Sequence, residues 1–322
     1  MEELLGDIAG WFARVGEEVG RVSLGTLLLV LALETLQTAL NAVAWRNILR
    51  AAYPDGGVRY PPVFGVYAGA VGLNHVLPAQ AGTIAMLGLY RGMIAGATVP
   101  GVLGAQVVQT LFFAAAGVVA YAALFTAFPG ASDVHFGALL DHPLLTVALA
   151  AVGIVLVVVV LRVVRGRLRR AVRDAREGAA ILRTPGRYAT GVLAPQAGSY
   201  LVRMGVIAVL MADYGIPVSP HTVLLVVAAS SISTLVALTP GGVGTQQALI
   251  VVALTGVAPS ATATAYSLGQ QAILTAWDVA LGVAALAATI GWGATRGLIR
   301  DQWAEARAKK HQDPTAGDQD RP

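Results

Sequence analysis

Long apolar runs separated by short polar or proline-bearing connections recur along almost the whole chain. They fall at residues 22–45, 62–79, 82–97, 99–128, 143–164, 189–212, 219–238, 243–257 and 260–292. Most are about 17 to 30 residues long, which matches a hydrocarbon core about 30 Å thick crossed at about 1.5 Å per residue. The pattern predicts an all-α polytopic membrane bundle of about seven to nine segments. The third and eighth runs are short and flanked by Gly and Pro, so each is a candidate half-span or re-entrant helix. Ahead of them, Leu4, Leu5, Ile8, Trp11, Phe12, Val15 and Val19 recur at helical spacing opposite Glu3, Asp7, Arg14, Glu17 and Glu18. This is the pattern of an amphipathic helix over residues 1–20 that lies in the membrane interface.

Two places in the chain resemble each other. Leu77-Pro78-Ala79-Gln80-Ala81-Gly82-Thr83 and Thr239-Pro240-Gly241-Gly242-Val243-Gly244-Thr245 both read Pro, three residues, Gly, Thr. Each leads into a short apolar piece, a turn with proline (Pro100, Pro259) and a long run. Orientation follows from the basic residues of the connections. Residues 165–187 carry eight arginines, whereas 129–142 and 213–221 carry no Lys or Arg. The arginine-rich loop is therefore expected in the cytoplasm, together with Arg46, Arg50 and Arg59 and the tail bearing Arg296, Arg300, Arg307, Lys309 and Lys310. That places the N-terminus outside and the C-terminus inside a multi-pass inner-membrane protein. The two Pro-Gly stretches are then approached from opposite sides, as in an inverted repeat. The expected organisation is an interfacial helix (1–20), a first repeat (22–164), the arginine loop (165–187), a second repeat (188–293) and a polar cytoplasmic tail (294–322). Proline and glycine leave backbone polarity at membrane depth, which is tolerated inside protein or beside a wet cavity. Broken helices at matching positions of inverted halves point to a substrate site, and the alternative is a pair of ordinary turns.

Composition narrows the class further. The 322 residues are 56% hydrophobic and 12% charged, with a mean hydropathy of +0.68, too apolar for a soluble domain. There are no cysteines, so neither disulfides nor thiol chemistry is available. His75, His135, His142, His221 and His311 are scattered, so no metal site is expected. The net charge of +4 belongs to segments bordering the spans, which favours topology over nucleic acid as its reason. The acidic start (Glu2, Glu3, Asp7) and long first run do not read as a signal peptide. Trp45, Tyr188, Tyr214 and Trp292 fall at the expected interfaces. No GxxxxGK loop is present, and no cofactor is expected.

At Asn74-His75-Val76-Leu77-Pro78-Ala79-Gln80-Ala81-Gly82 and Leu238-Thr239-Pro240-Gly241-Gly242-Val243-Gly244, with Ala44-Trp45-Arg46 after the first span, the chain resembles the lysylphosphatidylglycerol synthase transmembrane-region family. The resemblance runs from about residue 22 to 292. It implies translocation of a lipid or lipid-linked headgroup. It does not imply aminoacyl transfer, since the stretch after Trp292 is shorter than a synthase domain needs. An additional first helix usual in that family has no counterpart here. Where that family carries charge, this chain places Thr83, Gln106, Gln109, Gln246-Gln247 and Gln270-Gln271. Amides hydrogen-bond neutral or zwitterionic groups but do not balance a full charge.

Charges within spans are costly, about 2.5 to 3.5 kcal/mol on insertion scales, and are functional by default. Glu34, Arg203 and Asp278 stand out, with Arg91 in the first short helix. Arg203 can bind a phosphate bidentately, and Glu34 or Asp278 can carry a coupling proton. A structural Glu34–Arg203 pair, or a snorkelling Arg91, is the plainer reading. Asn74, Thr239, Gln246, Gln247 and Gln270 can line a headgroup cavity with Pro78, Pro240, Gly241 and Gly242, or satisfy one another between helices. Helix N-termini at Gly82 and Gly244 would offer free N–H groups to a phosphate. His75 reads as a hydrogen-bonded core histidine rather than a relay. Gly88, Gly92 and Gly96, like Gly65 and Gly69, read as helix-packing stripes.

The expected function is a lipid flippase or transporter acting on a phospholipid or polyprenyl-linked headgroup. The rivals are a non-transporting scaffold of a lipid or glycan synthesis complex and, last, an intramembrane lipid-modifying enzyme. Membrane lipids are the expected partners, with a homo-oligomer or a synthase as further candidates.

Overall fold

The computed structural model describes residues 22–76, 81–127, 176, 178–235 and 244–293. The interfacial helix over 1–20, the span at 143–164, most of the arginine loop, the tail from 294, and Pro78, Thr239, Pro240, Gly241 and Gly242 lie outside the described residues.

Eight helices account for the described chain: α1 Leu24–Ala52, α2 Tyr60–Val76, α3 Ala81–Met93, α4 Val99–Ala127, α5 Pro185–Asp213, α6 Pro220–Leu235, α7 Thr245–Ala253 and α8 Ser260–Ile290. A single 3-10 turn, Ala180–Arg183, precedes α5. They form two successive sets of long, short, short and long: 29, 17, 13 and 29 residues, then 29, 16, 9 and 31. Among the described residues α1, α5 and α8 are long and apolar enough to cross a membrane, and α4 carries no charged residue over its whole length. By contrast α3 and α7 extend about 20 and 14 Å at 1.5 Å per residue, less than the hydrocarbon thickness.

The two sets are related by inversion. Their equivalent first helices, α1 and α5, lie side by side and antiparallel. The Thr26 hydroxyl donates to Asp213 at 2.7 Å, Asn41 Nδ2 to Ser199 Oγ at 2.8 Å, and Asn47 Nδ2 to the Gly191 carbonyl at 2.8 Å, so one helix's start meets the other's end. Asp213 also accepts the Ser23 N–H at 3.2 Å, which places a carboxylate at the positive end of α1. The remaining contacts repeat under exchange of the sets. α2 packs on α8 as α6 does on α4, and α2–α3 matches α6–α7. Trp277 Nε1 of α8 donates to Thr35 Oγ1 of α1 at 3.0 Å, and its counterpart is Gln196 Nε2 of α5 donating to the Gln109 carbonyl of α4 at 2.8 Å.

Polarity is turned inside out relative to a soluble protein. Leu24, Leu28, Ile84, Val107, Leu201 and Val252 are exposed, whereas Glu34, Thr38, Asn41, Ser199, Gln270, Thr275 and Asp278 are buried. Such a surface suits lipid, and the polar interior must find partners within the bundle. The apolar contacts form two cores, each drawing some residues from both halves. One gathers around Trp45, Ile48, Met86 and Tyr90, the other around Val206, Leu210, Ile250 and Tyr266.

Three expectations change. Helix α1 runs on to Ala52, so Arg46 and Arg50 are helical rather than in the loop; no breaker intervenes before Pro54, and alanine, leucine and arginine favour helix. Trp45 is fully buried, with its ring 5.4 Å from that of Tyr90, so it is a core residue and not an interfacial anchor. The Gly88 and Gly92 positions are exposed and a Cβ there would meet nothing within 4 Å, so this stripe packs on no described element. The Gly65–Gly69 stripe is a packing face as expected, and Gly72 extends it. Added Cβ atoms would overlap Thr289 at Gly65, approach Leu286 at 3.2 Å from Gly69, and lie 2.6 Å from the Asp278 carbonyl at Gly72. Small residues let α2 and α8 backbones touch where no hydrophobic effect drives association.

Substituting leucine for Gly72 should separate α2 from α8 and cost about 1–3 kcal/mol or more by overpacking, seen as a lowered unfolding temperature in detergent; Gly88→Leu should change stability by less than about 0.5 kcal/mol. Gly244 has φ of +91°, so Gly244→Ala should destabilise by about 1 kcal/mol or more although space around it is open, measured by the same unfolding curves.

Candidate functional site

The polar residues converge where α1, α2, α5 and α8 meet. On α1, Glu34, Thr38 and Asn41 are buried at i, i+4 and i+7. On α8, Gln271, Thr275 and Asp278 repeat that spacing, so each helix directs one polar stripe into the bundle. Glu34 is 6% and Asp278 4% exposed. Glu34 lies about 15 Å along α1 from Leu24, and Arg203 about 15 Å along α5 from Asp213, close to mid-depth of a 30 Å core.

At this intersection the sequence-predicted charges come together. Asp278 and Arg203 are the charged groups close enough to act on Glu34, and both Asp278 and Glu34 act on the half-buried Tyr67 of α2. No direct ion pair joins Glu34 to Arg203 among the described residues; the close pair is His75 with Asp278, Nε2 to Oδ2 at 3.0 Å. Glu34 instead accepts from Gln37 Nε2 at 3.2 Å.

The bonds around His75 form one directed chain. Gln271 Nε2 donates to Thr275 Oγ1 at 3.2 Å, and Thr275 Oγ1 stands 3.3 Å from His75 Nδ1. With the Thr275 hydroxyl donating to Nδ1, the Nε2–H of His75 faces Asp278. That tautomer satisfies every member except the second oxygen of Asp278. Asp278 Oδ1 is buried without a partner, an arrangement that leaves an acceptor for a ligand in a low-dielectric space.

The breaks adjoin this cluster through Asn74, next to His75. Its side chain spans the α2–α3 junction: Oδ1 accepts the Thr83 N–H at 3.2 Å and Nδ2 donates to Thr83 Oγ1 at 3.0 Å. Gly82 is packed so closely that a Cβ would lie 2.7 Å from Asn74 Oδ1 and overlap the Ala70 carbonyl. The Tyr90 hydroxyl donates to the Val63 carbonyl at 3.1 Å, which closes an antiparallel α2–α3 hairpin. In the other half, Gln247 Oε1 accepts the Gly244 N–H, one limb of a capping box. The expectation of free N–H groups at both helix starts is corrected for these donors: Asn74 caps Thr83 and Gln247 caps Gly244, so amides at the breaks serve the backbone first.

Of the remaining sequence candidates, Gln246 is half-buried on α7, while Gln247 Nε2 and Gln270 Oε1 are buried without partners. No hydrogen bond among the described residues ties these three to the Asp278 cluster. Arg91 is exposed on α3, consistent with snorkelling. Residue order alone undervalues His75, Thr275 and Tyr67. The i, i+4, i+7 polar stripe on α8 is a usable signal for Thr275 and, through it, for His75, since such a stripe inside an apolar run must face protein. No group of three potential metal ligands occurs among the described residues.

The arrangement offers carboxylate acceptors, a guanidinium and a histidine within one buried region. These can hold a group that carries both a cation and a phosphate, because the fixed charges of both signs are present. No curated protein and no solved structure matches the chain. The family model described as "Lysylphosphatidylglycerol synthase TM region" matches residues 8–282. The inverted helical sets, the lipid-facing exterior and this match agree: the chain is a membrane protein of the lysylphosphatidylglycerol synthase transmembrane-region family.

Proposed function

We propose that this protein carries a lipid headgroup between leaflets, using the region between Glu34, Arg203 and Asp278 as its midplane site. The observation that carries the reading is the meeting of both carboxylates, the guanidinium and His75 at mid-depth, where two inverted helix sets touch. Arg203 would take the phosphodiester, as its planar fork suits that group. Glu34 and the unpartnered Asp278 oxygen would take the amine of a zwitterionic headgroup. Helices α3 and α7 are too short to span, so α2–α3 and α6–α7 are read as re-entrant hairpins entering from opposite faces. Pro78, Thr239, Pro240, Gly241 and Gly242 are included in the proposed site on the sequence pattern alone. Alternate exposure of the site would follow from movement of the inverted units about it.

A second reading has one observation in its favour. Thr275, His75 and Asp278 stand in the order of nucleophile, base and orienting acid. An intramembrane lipid-modifying enzyme would use that order, and it would leave a changed lipid behind.

In proteoliposomes containing this chain alone, a labelled zwitterionic phospholipid should equilibrate between leaflets, and Arg203→Gln or Asp278→Asn should slow exchange at least about tenfold, the loss of one charged contact worth more than about 1.4 kcal/mol. Exchange at the protein-free rate by the unaltered chain rules the carrier out, and undiminished exchange by both variants rules out this site for it. Mass spectrometry of the same lipids separates the readings: a new product abolished by His75→Ala favours the enzyme, and unchanged lipid the carrier.

A further inference from the structure

A second place on the molecule has the chemistry of a phosphate site and lies outside the polar chamber. The last two turns of α1, the 53–59 loop and the start of α2 enclose an open cleft of about 760 Å³ lined by Arg46, Arg50, Gly57, Arg59, Tyr60 and Pro61 together with Pro54 and Val58. Three arginines therefore line one space, with no acid among the described residues of the lining. Asp55, the carboxylate of the same loop, is exposed and does not line it. Among the described residues none of the three arginines has an ion pair or hydrogen bond to protein. Arg46 Nε is buried and without a partner, a donor removed from water yet unsatisfied, which costs free energy unless something else accepts from it.

Local structure explains why these side chains converge. Because α1 continues to Ala52, Arg46 and Arg50 sit at i and i+4 on one helix face. The loop then doubles back. Gly57 adopts φ of +68°, Gly56 packs against Ile94 and Tyr53, and the Tyr60 hydroxyl donates to the Ala39 carbonyl at 3.2 Å. That bond pins the Tyr60 side chain against α1, and Arg59 lines the same cleft as Arg46 and Arg50. Tyr60, with its hydroxyl engaged inward, forms a wall of the cleft.

We infer that this cleft binds the phosphodiester of an anionic phospholipid from the leaflet on its side of the bilayer. The guanidinium fork matches phosphate oxygens bidentately. The absence of acid from the lining leaves no acceptor for an amine, so anionic headgroups are favoured over zwitterionic ones, in contrast to the Glu34–Asp278 region. By the distribution of arginines this end faces the cytoplasm, where anionic lipids attract basic segments. The inference concerns binding and does not require that the bound lipid be the one transported.

The test is retention of phosphatidylglycerol by the purified full chain, titrated in nanodiscs of phosphatidylcholine and read by native mass spectrometry. Saturable binding is expected, lowered at least tenfold by Arg46→Gln with Arg50→Gln and Arg59→Gln, and partly kept by the three Arg→Lys changes. Matched removal of charge at Arg176, Arg183 and Arg187, exposed arginines of the neighbouring segment, should leave binding within about twofold. Should Arg59→Gln alone fold well when the triple variant does not, a several-fold weakening in that single variant supports the inference and unchanged binding overturns it. Equal loss in both triple sets would reduce the effect to diffuse electrostatics and overturn the inference. Displacement of the lipid by millimolar inorganic phosphate would overturn it in favour of a free-anion site. Leaflet exchange is measured separately, so a protein that binds phosphatidylglycerol but does not carry lipid refutes the carrier reading and leaves this one standing.

Discussion

Lipid offers no hydrogen bonds, and that constraint organises the rest of this structure. Every carboxylate, amide and hydroxyl within the apolar runs has to find its partner inside the bundle. The antiparallel α1–α5 contact is where several of them do. Thr26 with Asp213, Asn41 with Ser199 and Asn47 with Gly191 are spread along its length. Each such bond contributes only about 0.6 to 2 kcal/mol in a membrane. Together they fix the register of two helices whose exposed positions are mostly leucine and alanine. With that register set, Glu34 and Arg203 fall at the same depth.

The two short helices show how the same constraint is met at a chain break. Starting a helix strands backbone N–H groups. Here the side chain of Asn74 reaches across the α2–α3 junction, and that of Gln247 turns back on its own helix. Residues that composition marks as a polar lining are thus partly consumed by the backbone. Beyond these bonds, Asp278 Oδ1, Gln270 Oε1 and Gln247 Nε2 are among the buried side-chain atoms that have no partner.

Much of this is legible from residue order. Apolar run length locates the spans, and the repeated Pro-x-x-x-Gly-Thr locates the short helices at the right places. The cost of charge in lipid singles out Glu34, Arg203 and Asp278, and these do share a region. What residue order does not supply is pairing across helices. Asp278 pairs with His75, from the far end of the chain, because the Gly65, Gly69 and Gly72 face admits α8 so closely. The Gly88 stripe has the same spacing as the Gly65 stripe and no described neighbour, so spacing alone does not distinguish a seam from a lipid-facing surface. Trp45 likewise has the composition of an interfacial anchor, and only its contact with Tyr90 reveals it as core.

The closeness of α2 to α8 carries a mechanical meaning. With glycine on one side and backbone on the other, there is little side-chain slack between them, and α2 brings α3 along through the Asn74 and Tyr90 bonds. The hairpin of the first half is thereby clamped to the last helix of the second, while α6 packs on α4 and α7 lies between α6 and α8. The packing of α2 and α3 on α8, and of α6 on α4, joins elements from both halves of the chain, so cutting it at its midpoint would sever each of these seams rather than release two free-standing pieces.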